Sequence, residues 1–111
     1  MNINKEQIER MAQIAKVLGH PTRILILQFL AGEKSCYFGD ISEIVPVSKA
    51  TISQHLAALK NAGLIIGEIL PPKSCYCINP KAWVEVKELF GSLIDTCMAL
   101  PIHRCNCDDS N

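Results

Sequence analysis

The residues best suited to chemistry in this chain are its thiols. There are six Cys, and Cys97, Cys105 and Cys107 fall within the last fifteen residues with His103 among them. Three thiolates in a pyramid suit arsenite, a soft trivalent acceptor; Cd(II) or Zn(II) would take a fourth ligand, which His103 can supply as a Cys₃His set. A polar tail offers these thiols nothing to pack against, which favours ligation. The second group is Cys36, Cys75 and Cys77. Cys75 and Cys77 stand two apart and share a face of a strand, and Cys36 joins them if its own segment lies alongside. The tail group ranks first and this group second. Against both stands the plain role of a small buried hydrophobe, and Cys-x-Cys is a weaker metal signal than Cys-x-x-Cys. Oxidation of two thiols to one another is a further use.

Other chemistries find no support. The sequence has no phosphate-binding Gly loop, no credible nucleophile–base pair and no paired carboxylates, so an enzyme is not expected. With 111 residues, 49% hydrophobic and 20% charged, the chain suits one ordered globular domain. Its longest apolar run, 24–31, is interrupted by Gln28 and is too short to cross a membrane. Residues 1–10 are polar, unlike a secretory leader. A cytoplasmic protein with reduced thiols is therefore expected, rather than one held by disulfides.

The formal net charge is zero, which suits nucleic acid poorly until its distribution is considered. Between 46 and 81 stand Lys49, Lys60, Lys73 and Lys81 against Glu68 alone, so +4 − 1 = +3, and the remainder carries −3.

The elements that must position these residues follow from periodicity. Ile8, Met11, Ala12, Ala15 and Leu18 recur at steps of three and four, drawing an apolar stripe on a helix over 5–18. Gly19 stops it, and Pro21 suits the first turn of a second helix. That helix, apolar almost all round, should be the buried centre of the domain. Residues 36–38 read as a short extended piece. A short helix from Gly39 or Asp40 follows, with Asp40 its N-cap and Ile41, Ile44 and Val45 facing inward. Ser48 caps a helix over 49–61, which closes at Gly63. A short helix, a tight turn and a longer capped helix make a helix-turn-helix. Two β-prone runs, 64–70 and 75–78, flank a Pro-Pro-Lys-Ser turn and read as a hairpin, the wing. The last helix starts at Pro80 and runs to Cys97 or Leu100, with Trp83, Val86, Leu89, Phe90, Leu93 and Ile94 on one face. The expected fold is mainly α with one small hairpin: a domain over 1–100 and a Cys-rich tail over 101–111.

Within 48–63, a helical wheel gathers Ile52, Leu56 and Leu59 on one side. The opposite face carries Ala50, Gln54, Ala57 and Asn61, flanked by Thr51, Ser53 and Ala58. No acid occurs between Lys49 and Gly63, whereas an ordinary solvated helix carries several. Small residues let such a helix sit deep in a major groove, where Gln54 can pair with an adenine edge. Ser48, Lys49 and Thr51 stand at the N-terminal end, where hydroxyls and free N–H groups suit phosphates. His55 falls between the faces, and both burial and a phosphate contact are open to it.

Three blocks together, Gly19-His20-Pro21-Thr22-Arg23-Ile24, Ser48-Lys49-Ala50-Thr51-Ile52-Ser53-Gln54-His55-Leu56 and Leu59-Lys60-Asn61-Ala62-Gly63-Leu64-Ile65, resemble the arsenic-repressor (ArsR) family of winged-helix regulators. The resemblance covers roughly residues 8–90. It implies a homodimer pairing through its first and last helices, a palindromic operator bound by the inducer-free form, and release by an inducer. It implies DNA contacts from Ser48, Lys49, Thr51, Ser53, Gln54 and His55, with Lys73 in the wing near the flanking backbone. The arsenic-sensing members carry Cys-Val-Cys-Asp-Leu where this chain has Tyr37-Phe38-Gly39-Asp40-Ile41, so that site does not transfer. The family's zinc site on the last helix does not transfer either, for want of paired Asp and His ligands. The inducer is thus left to the two thiol groups: arsenite or a soft metal ion first, thiol oxidation or persulfide second. A winged-helix protein-interaction module without DNA binding is the alternative of another class.

Overall fold

A computed structural model of the chain describes residues 4–33, 36, 37, 39–70 and 73–101. Helix α1, Lys5–Leu18, opens with a capping box in which Asn4 Oδ1 accepts from the Gln7 N–H at 2.8 Å and the Gln7 side chain accepts from the Asn4 N–H at 3.0 Å. Helix α2, Pro21–Ala31, begins with Pro at a position whose N–H needs no partner. A single 3₁₀ turn, Ile41–Glu43, stands where the sequence predicts a short helix, and it is capped as expected by Asp40, whose Oδ1 accepts from the Ser42 N–H at 2.9 Å. Then come helix α3, Lys49–Asn61, strands β1, Ile65–Leu70, and β2, Lys73–Ile78, and helix α4, Pro80–Met98. The strands pair antiparallel from Ile65 opposite Ile78 to Leu70 opposite Lys73.

One core fills the angle between α2, the 3₁₀ turn, α3 and the base of the hairpin. Ile26, Leu27, Leu30, Ile41, Val45, Ile52, Leu56, Leu59, Ala62, Leu64, Ile65 and, from α4, Ala82 are its buried apolar members. A second, smaller core joins α1 to α4 through Met11, Ile14 and Leu89, with Leu18, Val86 and Phe90 packed against it. Arg10 of α1 donates from Nε to Glu85 Oε1 of α4 at 3.1 Å beside this core.

Of the apolar stripe on α1, Met11 is buried, as is Ile14, while Ile8, Ala12 and Ala15 lie on the surface. Two expectations need correction. Helix α2 is not buried all round: Ile24 and Leu25 are each 45% exposed, because neighbours cover only its Ile26–Leu27–Leu30 side. Ile44 also faces outward, since a 3₁₀ turn of three residues directs Ile41 and Val45 inward and turns Ile44 away.

Candidate nucleic-acid interface

Helix α3 is held on one side and left bare on the other. Ile52, Leu56 and Leu59 are buried, whereas Ser48, Lys49, Ala50, Ser53, Gln54, Ala57, Lys60 and Asn61 are exposed. Its start is fixed by Ser48, whose Oγ accepts from the Thr51 N–H at 3.2 Å and donates to Thr51 Oγ1 at 3.0 Å. Its end is a Schellman motif: Gly63 N–H donates to Lys60 O at 2.9 Å and Leu64 N–H to Leu59 O at 3.0 Å. Gly63 sits at φ +82°, among the described residues the one positive-φ position. Both ends are thus built from local chemistry, and the helix presents a defined length of acid-free surface.

Three further contacts fix how α3 is carried. The Asn79 side chain donates to Gly63 O at 2.8 Å, and the Trp83 indole N–H donates to Leu64 O at 3.1 Å. These bonds tie the start of α4 to the exit of α3. Across the helix, Arg23 of α2 donates from Nε to His55 Nδ1 at 3.0 Å and from Nη1 to Val17 O at 3.2 Å. Accepting at Nδ1 requires a neutral ring protonated at Nε2. Burial, then the Arg23 charge, then His20 hold His55 below its ordinary value of 6.5. The His20 ring packs on it, with centroids 5.7 Å apart. His55 is half-buried and faces inward at Nδ1, so its role in the structure is to join α3 to α2. Nothing local in the sequence distinguishes Arg23 for this contact, because its partner lies 32 residues away.

Lys49 is exposed and pairs with Asp40, Nζ to Oδ2 at 3.3 Å. Such a surface pair is worth little, so a phosphate can take Lys49 from it at small cost. Two bonds from Ser42, with lesser help from Lys49, hold the Asp40 carboxyl below its ordinary value. The Gln54 side chain makes no hydrogen bond among the described residues, and its amide is open to a base edge. Lys73 opens β2, but its side chain lies outside the described residues, as do Pro71 and Pro72. The Tyr76 ring lies across Gly67, where a Cβ would come within 2.5 Å of Tyr76 Cδ1. The glycine lets the base of the wing close onto its partner strand.

Four of the six thiols lie among the described residues. Cys97 is exposed near the end of α4; His103, Cys105 and Cys107 lie outside the described residues. Cys36, Cys75 and Cys77 are half-buried and not disulfide-bonded. Cys77 hydrogen-bonds to Cys36; this bond first, then burial, then the charges of Cys36 and Cys75 push the Cys77 thiol up to about 11. Among the described residues no three His, Cys, Asp or Glu side chains gather to hold a metal ion, and no helix is long and apolar enough to cross a membrane.

Residues 20–66, which span α2, the 3₁₀ turn, α3 and the start of β1, match the model of the family described as bacterial regulatory protein, arsR family. The HTH-type transcriptional regulator YgaV of Escherichia coli (strain K12) is 34% identical over 74 residues, covering 67% of this chain and 75% of that protein. An uncharacterized HTH-type transcriptional regulator of Methanocaldococcus jannaschii is 40% identical over 60 residues, covering 54% of this chain and 67% of that one. In fold, the chain is similar to the homodimeric winged helix-turn-helix DNA-binding domain Mb0332 of Mycobacterium bovis, with TM-score 0.59, 18% identity and coverage of 96% and 99%. With its capped helix-turn-helix, its hairpin wing and these relatives, the chain belongs to the arsR family and is a winged helix-turn-helix transcriptional regulator.

Proposed function

We propose that the protein is a homodimeric repressor that binds a palindromic operator through α3 and is released by an inducer acting on its thiols. The observation that carries the DNA-binding part is the exposed, acid-free face of α3. Ser48, Lys49 and Thr51 would contact phosphates, Ser53 and Gln54 base edges, and Lys73 the flanking backbone. His55 would act through Arg23, keeping α3 at its angle on α2, with at most Nε2–H left for a phosphate. Two copies would pair through α1 and α4, whose exposed Ile8, Val84, Leu93, Ile94 and Met98 form the apolar surface such pairing needs. The two recognition helices then stand about one DNA turn, roughly 34 Å, apart.

For release, the first reading is arsenite, Cd(II) or Zn(II) held by Cys97, Cys105 and Cys107 with His103 as a fourth ligand. The second, a thiol-oxidising or persulfide signal, is favoured by the contact between Cys77 and Cys36. Fluorescence anisotropy tests both parts. A duplex selected from a random library is titrated with reduced protein at several salt concentrations. Binding that weakens linearly with log salt is expected, followed by release on adding the inducer. An absent or salt-independent shift would remove DNA binding and favour a protein-interaction module.

A further inference from the structure

The thiols beside the wing have no part in the DNA-facing surface, and the backbone sets two of them against each other. Tyr37 N–H donates to Tyr76 O at 2.7 Å and Tyr76 N–H donates to Tyr37 O at 3.0 Å, an antiparallel bridge of the doubly hydrogen-bonded kind. In an antiparallel ladder the next pair outward is non-hydrogen-bonded, with Cα atoms about 4.5 Å apart and side chains closest. Counting one step back from Tyr37 and one step on from Tyr76 sets Cys36 opposite Cys77. That separation lies within the range of about 4.4–6.8 Å that a disulfide spans.

The side chains agree with the register. Both thiols line one open cavity of about 380 Å³ with Leu30, Ala31, Glu33, Ile78 and Pro80. A small oxidant can therefore reach the pair. The segment that carries Cys36 is anchored on its other side, where the Tyr37 ring meets Phe29 edge-on at 4.8 Å.

We propose that Cys36 and Cys77 are a dithiol–disulfide switch, closed by a hydroperoxide, that staples the segment after α2 to wing strand β2. Cys36 sulfur, which accepts the hydrogen bond, attacks the terminal oxygen of ROOH as its thiolate; the O–O bond breaks and ROH leaves. The sulfenic acid formed on Cys36 is attacked by Cys77 sulfur, whose proton leaves with the expelled hydroxide as water. Two thiols and ROOH thus give one disulfide, ROH and H₂O, with the two electrons passing from sulfur to oxygen. A reduced small-molecule thiol reopens the bond by exchange. The closed form holds the wing against the α2 segment, so it cannot settle independently on DNA; this consequence rests on the DNA-binding reading, whereas the disulfide does not.

The test uses the full chain with Cys97, Cys105 and Cys107 replaced by Ser, so that the tail cannot compete. Reduced protein is treated with equimolar hydrogen peroxide, alkylated, digested with trypsin and mapped without reduction. Peptides 35–49 and 74–81 should appear joined, lighter by two hydrogens than their sum and separated by dithiothreitol. The link should persist in Cys75→Ser and vanish in Cys77→Ser. A link that persists in Cys77→Ser through Cys75, or peptides alkylated throughout, overturns the pairing. In parallel, oxidation should weaken binding to the selected duplex by about 5- to 150-fold, and not in Cys36→Ser. An unchanged affinity despite a formed link overturns the switch while DNA binding stands. If reduced protein binds no duplex, the DNA reading fails, and the peptide map still decides the pairing.

Discussion

Replacing Gly63 by Ala isolates one torsional cost at the point where the recognition helix hands the chain to the wing. Gly63 sits at φ +82°, a conformation that costs an L-residue about 1–2 kcal/mol. There is no steric contribution: an added Cβ would meet only Arg10 Nη2 at 3.8 Å, an ordinary contact. Both hydrogen bonds of the Schellman motif use backbone atoms and survive the change. Alanine also has less unfolded-state freedom to lose, which returns about 0.4–1 kcal/mol. The net loss should be about 1 kcal/mol, or roughly 4–8 °C in Tm for a domain near this size. Asn, which tolerates the left-handed region, should lose less than Ala, and β-branched Val more. Urea and thermal melts of reduced protein, followed by far-UV circular dichroism at one protomer concentration, give the ranking. Equal stability of Gly, Asn and Ala, or Asn no better than Ala, would refute the torsional argument. A loss above about 4 kcal/mol would show a clash instead of a strained torsion.

Further outcomes follow from the same contacts. His55 is held below 6.5, chiefly by burial, so the unfolded chain binds a proton that the folded chain refuses. Its contribution is present above pH 6.5 and is lost as pH falls through the folded value; the urea midpoint should fall from about pH 7 to about pH 5, less steeply in His55→Gln. An undiminished slope in that variant would assign the effect elsewhere. Gln54→Ala should cost about 1–3 kcal/mol in operator affinity and relax base preference at one position, read by competition with mutated duplexes. Lys49→Ala should weaken all duplexes alike and flatten the salt slope by about 0.9 per subunit; a loss confined to one sequence would contradict a phosphate role. Trp83→Phe removes the indole bond to Leu64 O, but that carbonyl still accepts from the Asn79 N–H at 3.2 Å. The loss measured by urea melts should therefore stay near about 1 kcal/mol, not the cost of a fully orphaned carbonyl.

What could be read in advance was what is decided locally. Ser48 caps the Thr51 N–H three residues on, and Gly63 ends α3 because the next carbonyls need a left-handed residue, so both bounds of the helix are written within a few positions of themselves. Ile52, Leu56 and Leu59 share a face through helical period alone. The failures have a different physical cause. Ile24 and Leu25 are as apolar as Ile26 and Leu27, and only the placement of neighbouring elements decides which pair is covered. Arg23 meets His55 because α2 crosses α3, a fact carried by no local pattern. Residue types alone permit Cys36 to lie beside the wing, but the bridge between Tyr37 and Tyr76, 39 residues apart, is what brings it there.

The two ends of α4 suit the proposed joining of a reading surface to a dimer surface in one small domain. At its start, Asn79 and Trp83 hold the carbonyls of Gly63 and Leu64, the two residues through which α3 passes into β1. In its first half, Ala82 and Leu89 are buried, while from Leu93 onward every residue is exposed through Leu100. A helix of 19 residues is about 28 Å long at 1.5 Å per residue. It behaves as a lever with one end clamped to the exit of the recognition helix and the other bare. A partner packed on Leu93, Ile94 and Met98 would fix the lever, and with it the separation of two recognition helices. A ligand at Cys97 would act on the free end of that lever, whereas a bond between Cys36 and Cys77 would act on wing strand β2 beside Pro80, at the clamped end. The two sites stand at opposite ends of α4, about 25 Å apart at 1.5 Å per residue, so their effects on operator affinity should add in free energy when both are engaged.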